Sequence, residues 1–340
     1  MQCIYCITMK ALIPVAGIGS KLRPHTHTQP KSLVPIAGKP ILAHIVDALA
    51  EAGIKEFVFV LGYLGDKIED YITKTYGTQL KVNFVIQEPR EGLAHAVWVS
   101  RHTFAQEEEI LIVLGDTIAP VNFKELLQSP YSVLGVKKVN DPASFGIAEI
   151  NELGKIIHLV EKPKIPKSNL ALVGIYKIRN IPLLLSSIEH LLTKGLKNRG
   201  EYQLTDALMH MVSQGEDLRI LLVNHWYDCG KKETLLEANA ILLNQDKFKE
   251  NLPIFPSTII IPPVSIGQNC DISNSIIGPN VAIGDNSILK YSIVRNSIVG
   301  SYSELENVVL KNSIIGNDSS LKGLSQSLNI GDNTEINFNN

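Results

Sequence analysis

The sequence predicts an α/β domain with a mostly parallel sheet, followed by a parallel β-helix, and two observations predict this. In the first two thirds of the chain, short apolar runs alternate with segments whose apolar residues recur at helical spacing. In the last third, one aliphatic residue recurs every five or six positions, with Gly, Asn, Asp and Ser in the gaps. Neither a helix nor simple strand alternation holds that period, which is typical of hexapeptide-type coils.

Four apolar runs are the candidate parallel strands of the first domain. They occupy residues 11–15, 57–61, 82–86 and 110–114. Because the runs are apolar at nearly every position and helical segments separate them, we expect helices to cover both faces of the sheet. Ligands of such sheets bind at the carboxyl ends of the strands. The segments that follow the runs are therefore the candidate site.

The residue pattern of the sequence changes near residue 250, and this change predicts the domain organisation. We expect residues 1–245 to form the first domain, and residues 246–256 to form a proline-bearing linker. Residues 257–335 then form the β-helix, whose eleven aliphatic positions correspond to between three and four coils. Within the first domain we interpret residues 1–8 as an extension that precedes a start at Met9.

The composition limits the possible partners. A chain of 340 residues with 45% hydrophobic content can bury two cores. A net charge of −2 gives no reason to expect nucleic acid or an acidic membrane as a partner, and no apolar run is long enough for a bilayer span. Cys3 and Cys6 have no second cysteine pair at zinc-site spacing. The four cysteines of the chain are too few for a disulfide scaffold, so we expect a reduced, cytoplasmic protein.

The segment after the first run resembles a phosphate-binding loop. Gly17 and Gly19 lack a Cβ atom, so the chain can turn sharply there and approach an anion. Lys21, Arg23 and Lys31 add positive charge. The loop lacks both the Gly-Lys-Ser/Thr and the Gly-x-Gly-x-x-Gly patterns, and an ordinary turn could have the same residues. The glycines and the clustered charge favour a triphosphate clamp over a site for a neutral ligand, but the rest of the chain has to distinguish such a clamp from a turn.

Two aspartates are candidate metal ligands. Asp116 follows the run at 110–114, and Asp228 lies between Trp226 and Gly230. Each of them alone could simply form a turn. Together with phosphate oxygens, two carboxylates would supply the octahedral oxygen shell that Mg²⁺ prefers.

Nine short motifs occur in one order across residues 10–245. They are Ala16-Gly-x-Gly-Ser-Lys-Leu-x-Pro, Pro30-Lys31, Gln87 with Gly92-Leu-Ala, Leu114-Gly-Asp, Phe145-Gly146, Glu161-Lys-Pro, Val173-Gly-Ile-Tyr, Gly200-Glu-Tyr-Gln-Leu-Thr-Asp206 and Trp226-x-Asp-x-Gly230. In this order they resemble the sugar-1-phosphate nucleotidyltransferase family of glucose-1-phosphate thymidylyl- and uridylyltransferases. The resemblance implies a Rossmann-like domain, with a mixed, mostly parallel sheet flanked by helices, and a left-handed parallel β-helix tail.

The resemblance also implies a function and a set of site residues. The protein would join a nucleoside triphosphate, dTTP or UTP, to a hexose 1-phosphate and release pyrophosphate. Mg²⁺ would be its cofactor, and the protein would be a homo-oligomer. The long form of glucose-1-phosphate thymidylyltransferase is the nearest match. The implied catalytic residues are Lys21, Lys31, Lys162 and Asp116; the nucleotide-binding residues are Ala16, Gly17, Gly19, Ser20, Gln87 and Gly92; the sugar-binding residues are Gly146, Glu161, Val173 and Gly174; and the metal ligands are Asp116 and Asp228.

Several alternatives stay open. Some motifs favour the uridylyl branch, and another NDP-sugar pyrophosphorylase would share most of them. A regulatory homologue without activity would keep the fold. An acyltransferase is a different class that uses β-helices of this repeat, but such enzymes generally need a catalytic His, and the chain has none from Asn251 onward.

The loop departs from the family pattern at Ser20-Lys21, where the usual sequence is Gly-x-Gly-Thr-Arg. The planar guanidinium of arginine can donate hydrogen bonds to two phosphate oxygens at once, whereas a lysine ammonium acts as a point charge. We therefore expect Lys21→Arg to raise kcat, measured as pyrophosphate release. An unchanged kcat would contradict the assignment of Lys21 to the triphosphate.

Overall fold

The structure is a computed structural model that describes residues 9–245, 248–250 and 252–323. The chain divides into two compact units, Met1–Ala238 and Asn239–Asn340. No helix in the described residues is long and apolar enough to cross a bilayer. The expected extension at residues 1–8 and the predicted end of the β-helix, residues 324–335, lie outside the described part.

Strands and helices alternate along the first part of the chain. The strands are β1 (Lys10–Pro14), β2 (Pro35–Ile36), β3 (Lys39–Pro40), β4 (Glu56–Leu61), β5 (Lys81–Ile86), β6 (Ile110–Val113), β7 (Thr117–Ile118), β8 (Ser132–Lys138), β9 (Gly146–Ile150), β10 (Ile156–Glu161), β11 (Leu170–Ile178), β12 (Leu218–Leu222) and β13 (Tyr227–Asp228). The helices are α1 (Ile41–Glu51), α2 (Gly65–Tyr76), α3 (Leu93–Val99), α4 (Phe123–Gln128), α5 (Ile181–Lys194), α6 (Leu204–Ser213) and α7 (Lys232–Leu243).

Nine of these strands form one mixed sheet. Seven of them lie in the order β10-β9-β11-β6-β1-β4-β5, and β8 pairs with both β11 and β12. β1 is parallel to β4 and β6, and β4 is parallel to β5, whereas β11 is antiparallel to β6. The fold-class prediction is therefore confirmed. Because β1 and β6 are neighbours, the segments after them meet at one edge of the sheet.

The expectation of cover on both faces is wrong for the run at 82–86. This run forms β5, which pairs only with β4 and lies at the end of the sheet. Ile86 is 71% exposed, whereas Leu12 and Ile112 in the central strands are fully buried. An apolar run is compatible with either a central or an edge strand, so its position in the sheet decides how much of it is covered.

The second unit contains a β-helix of short stacked strands. These are β14 (Ile259–Ile260), β15 (Val264–Ile266), β16 (Asp271–Ser273), β17 (Ile276–Ile277), β18 (Val281–Ile283), β19 (Ile288–Lys290), β20 (Ile293–Arg295), β21 (Ile298–Val299), β22 (Glu304–Glu306), β23 (Val309–Lys311), β24 (Ile314–Ile315) and β25 (Ser320–Lys322). They form three four-stranded parallel sheets, which agrees with the parallel β-helix that the repeat predicts and is consistent with the left-handed form that the family resemblance implies. The described residues thus contain four coils of three strands each.

The repeat residues have distinct structural roles in each coil. Aliphatic side chains such as Leu289 and Val294 stack inside the coils and are fully buried. Corner residues such as Asn280 and Asn296 have positive φ values of 60° and 42°, a conformation that Asn tolerates better than most residues. The serine hydroxyls near the corners bond to neighbouring coils; Ser275, for example, accepts from the Ser292 backbone N–H at 3.1 Å. These roles explain the Asn and Ser in the gaps of the repeat.

Candidate active site

A cavity of about 630 Å³ lies at the carboxyl ends of β1 and β6. Its lining comes from the segments after β1, β5 and β6, from the turn at Lys31, and from Glu201. Eight of the residues predicted from the sequence line it. They are Ala16, Gly17, Gly19, Ser20, Lys31, Gln87, Gly92 and Asp116.

The glycine loop folds against Lys31. Gly19 has a φ of 68°, and a Cβ atom there would lie 2.9 Å from the Lys31 Cβ. The buried Thr26 donates its hydroxyl to the Gly19 carbonyl at 2.9 Å, which holds the turn. A Cβ atom at Gly17 would meet no atom within 4 Å, so this part of the loop has open space beside it. The loop therefore combines one tightly packed glycine with one that leaves room for a ligand.

Gly115 brings Asp116 next to this loop. A Cβ atom at Gly115 would lie 2.2 Å from the Val15 Cγ1, a distance that real side chains do not reach. The Gly115 N–H also donates to the Pro14 carbonyl at 3.3 Å. Only a residue without a side chain allows the ends of β1 and β6 to approach so closely.

Lys31 lies between the two predicted metal ligands. β7 and β13 form an antiparallel pair with Asp228 opposite Thr117, which brings Asp228 near Asp116. The Lys31 ammonium donates to the Asp116 carboxylate and lies 3.5 Å from the Asp228 Oδ1. Residues distant in sequence thus meet at one cation.

The two carboxylates keep the Lys31 ammonium charged. Burial lowers the pKa of Lys31, but the charges of Asp116 and Asp228 outweigh burial and raise the pKa above its ordinary value. A raised pKa means that the ion pairs form fully at neutral pH and are lost only as the pH rises through the pKa of the folded state. The site therefore holds a permanent positive charge at neutral pH.

The donor set fits a magnesium ion. Asp116 and Asp228 supply hard carboxylate oxygens that converge on one cation, here the Lys31 ammonium. The described residues contain no cluster of three or more His, Cys, Asp or Glu side chains arranged for a metal, so substrate oxygens and water would have to complete the shell. Burial raises the pKa of the neighbouring Cys229 thiol.

Gln87 and Gly92 form another part of the cavity wall. The Gln87 side chain donates its Nε2 to the Gly92 carbonyl at 2.8 Å and lies 3.3 Å from the His95 Nδ1. The amide oxygen of Gln87 has no partner among the described residues, so it is available to accept from a ligand. Gly92 has a φ of 105°, and a Cβ atom there would lie 2.6 Å from the Tyr202 carbonyl oxygen. This glycine permits the close packing of the segment after β5 against residues 201–202.

Two of the four predicted sugar-binding residues, Gly146 and Glu161, meet at the β9–β10 hairpin, outside the lining of the cavity. Glu161, at the end of β10, pairs in register with Gly146, at the start of β9. The Glu161 carboxylate accepts from the Thr205 hydroxyl at 2.7 Å and lies 3.3 Å from the Lys162 ammonium. A Cβ atom at Gly146 would lie 2.9 Å from this carboxylate. Thr205 therefore holds one carboxylate oxygen of Glu161.

Val173 and Gly174 connect this group to the aspartates. The Thr117 hydroxyl donates to the Val173 carbonyl at 3.0 Å, and Thr117 directly follows Asp116. Gly174 has a φ of 83°, and a Cβ atom there would lie 2.7 Å from Leu114. Val173 and Gly174 thus lie against the same turn that carries Asp116.

The structure puts Lys21 apart from the cavity and adds residues that the sequence did not predict. Lys21 is exposed in the 3-10 turn Ser20–Leu22 and does not line the cavity. Sequence reasoning missed Arg90 and Glu201, which line the cavity. It also missed Arg199, which donates to the Lys162 carbonyl at 3.0 Å. All three lie inside or beside the motifs of the sequence analysis, and this position is the signal by which they could have been identified as candidate site residues.

Comparison with known proteins identifies the class. The family model described as nucleotidyl transferase matches residues 10–245, and the chain therefore belongs to the nucleotidyl transferase family. Within it the chain is a sugar-1-phosphate nucleotidyltransferase.

Three similar proteins illustrate the relationship. A glucose-1-phosphate thymidylyltransferase of Streptomyces griseus is 32% identical over 315 residues, 86% of this chain and 87% of the relative. A low-salt glycan biosynthesis nucleotidyltransferase of Haloferax volcanii is 30% identical over 317 residues, with the same coverage of both chains. A solved structure of UDP-glucose pyrophosphorylase complexed with UDP-glucose is 26% identical, with a TM-score of 0.60 over 68% of this chain and 97% of that one.

The position of Lys31 predicts a large effect on turnover. In Lys31→Met the cation between the carboxylates is lost, which removes positive charge from the cavity wall where we expect the phosphates to bind. We expect kcat/KM to fall about 10²- to 10³-fold, measured as pyrophosphate release.

Lys39→Met is the matched control, because Lys39 pairs with Asp47 and does not line the cavity. This variant should keep its turnover. If both variants behaved alike, the assigned role of Lys31 would be wrong.

Proposed function

We propose that the protein is a glucose-1-phosphate thymidylyltransferase, which forms dTDP-glucose and pyrophosphate from dTTP and glucose 1-phosphate with Mg²⁺. The observation that carries the proposal is the Lys31–Asp116–Asp228 cluster, whose Lys31 and Asp116 line the same cavity as Gln87. The similarity to thymidylyltransferases of Streptomyces griseus and Streptomyces antibioticus supports the choice of nucleotide and sugar.

The proposed reaction is an in-line displacement at the α-phosphorus. A phosphate oxygen of glucose 1-phosphate forms a bond to the α-phosphorus of dTTP, and the bond from that phosphorus to the β-phosphate bridging oxygen breaks. Pyrophosphate leaves with that oxygen and its electron pair. Since the attacking oxygen is already ionised at neutral pH, the reaction needs alignment and charge neutralisation rather than a general base.

In this mechanism the residues of the chain bind, align and neutralise. The loop from Gly17 to Ser20 surrounds the triphosphate, and the charged Lys31 faces its phosphates. Magnesium held by Asp116 and Asp228 supplies further positive charge when it is bound.

The remaining residues recognise the base and the hexose phosphate. The free amide oxygen of Gln87 accepts the pyrimidine N3–H. Glu161, held by Thr205, accepts from sugar hydroxyls, and Lys162 together with Arg199 faces the phosphate of the hexose. Two anionic substrates are thereby held side by side, which their mutual repulsion would otherwise prevent.

A second candidate is the corresponding uridylyltransferase. The structural similarity to UDP-glucose pyrophosphorylase favours it. Thymine differs from uracil by one methyl group, and such a difference contributes only about 1–3 kcal/mol to discrimination in a pocket. The same site could therefore use both nucleotides.

The decisive experiment pairs each of five nucleotides, dTTP, UTP, GTP, ATP and CTP, with several hexose 1-phosphates and measures pyrophosphate release. We expect dTTP with glucose 1-phosphate to give the highest kcat/KM, with UTP within about 10- to 200-fold. Chelation by EDTA should stop turnover, and added Mg²⁺ should restore it.

Preference for UTP would select the second candidate. If only GTP or ATP gave turnover, the assignment of Gln87 to a pyrimidine base would be contradicted. No pyrophosphate with any pair of substrates would favour a regulatory homologue without activity.

We also propose that residues 1–245 are the catalytic domain, and that the β-helix at 257–335 follows the linker 246–256 and assembles the chain into a homo-oligomer. The four coils of the described residues are short for a β-helix that carries its own active site, so a role in assembly is the simpler one. Sedimentation of the full chain at micromolar concentration should give a mass that is a multiple of 37.4 kDa. A monomer at that concentration would contradict the proposal.

A further inference from the structure

Ser32 has a buried hydroxyl without a partner. It lies in the 3-10 turn Lys31–Leu33, and its residue is only 5% exposed. The Ser32 Oγ is buried and has no hydrogen-bond partner among the described residues. The residue nevertheless lines the cavity of the candidate active site.

Such a hydroxyl is unusual, because buried polar groups are normally paired and an unpaired one costs free energy. Ser100 shows the ordinary arrangement in the same domain. It is fully buried, and its hydroxyl donates to the carbonyls of Ala96 at 3.0 Å and Val97 at 2.9 Å. Ser32 lines the cavity, so rotation of its side chain about χ1 would bring the hydroxyl to a ligand there, which would supply the missing partner.

The surroundings of Ser32 indicate which part of a ligand lies there. Ser32 directly follows Lys31, whose ammonium faces Asp116 and Asp228. Gly19 of the glycine loop packs against the Lys31 side chain. The proposed function puts the triphosphate between the loop and this turn, and a hydrogen bond from a hydroxyl to a phosphate oxygen is charge-assisted.

We propose that the Ser32 hydroxyl donates a hydrogen bond to a phosphate oxygen of the nucleoside triphosphate. The inference rests on the proposed function in that it assigns the triphosphate to this cavity, but it does not depend on which base is bound. It adds a neutral donor beside Lys31, at the phosphates that the reaction must align.

The test compares full-length wild-type protein with Ser32→Ala and Ser32→Cys by calorimetric titration of dTTP and of inorganic tripolyphosphate. Alanine removes the donor, and cysteine keeps the volume with a weak donor. We expect both variants to bind both ligands about tenfold more weakly, because one charge-assisted bond is lost. Without ligand, Ser32→Ala should unfold at the same temperature as wild type or higher, since no internal bond is removed.

Ser100→Ala is the matched control and should bind both ligands as wild type does. Unchanged binding in the two Ser32 variants would overturn the proposal, as would weaker binding of dTTP alone, which would locate the contact on the nucleoside. A lower unfolding temperature of ligand-free Ser32→Ala would identify a structural hydroxyl instead. Tripolyphosphate carries no base, so its titration stays decisive even if the protein does not use dTTP.

Discussion

The site depends on one interaction, the ion pairing of Lys31 with Asp116 and Asp228. Two carboxylates held close together repel each other, and the half-buried ammonium between them offsets that repulsion. The interaction therefore joins three segments that are far apart in sequence, and it makes their relative position part of the stability of the domain.

Glycines provide the close approaches that this arrangement requires. Gly115 allows the ends of β1 and β6 to touch, Gly174 accommodates Leu114, and Gly92 accommodates the backbone at Tyr202. Each of these glycines lies where another segment occupies the space of a Cβ atom. The same structure that aligns the site thus makes the domain sensitive to any side chain at these positions.

Much of the fold was predictable, because hydrophobic spacing follows directly from the geometry of strands and coils. The period of five to six residues predicted the β-helix, and the alternation of apolar runs with helical patterns predicted the α/β sheet. The edge position of β5 was not predictable, because an apolar run does not show how many neighbours a strand has. The helix α4 was also missed, since it is short and depends on its cap at Asn122.

The sequence by itself determined the fold class, the order of the motifs and the chemical types of the site residues, because these follow from local pattern. Only the tertiary structure decided which of those residues meet. It brought Asp228 to Asp116 through a two-residue strand pair, left Lys21 exposed, and gave Glu161 a partner in Thr205. It also left the Ser32 hydroxyl buried and unpaired. Contacts between distant segments depend on the packing of the whole chain, and no local pattern encodes them.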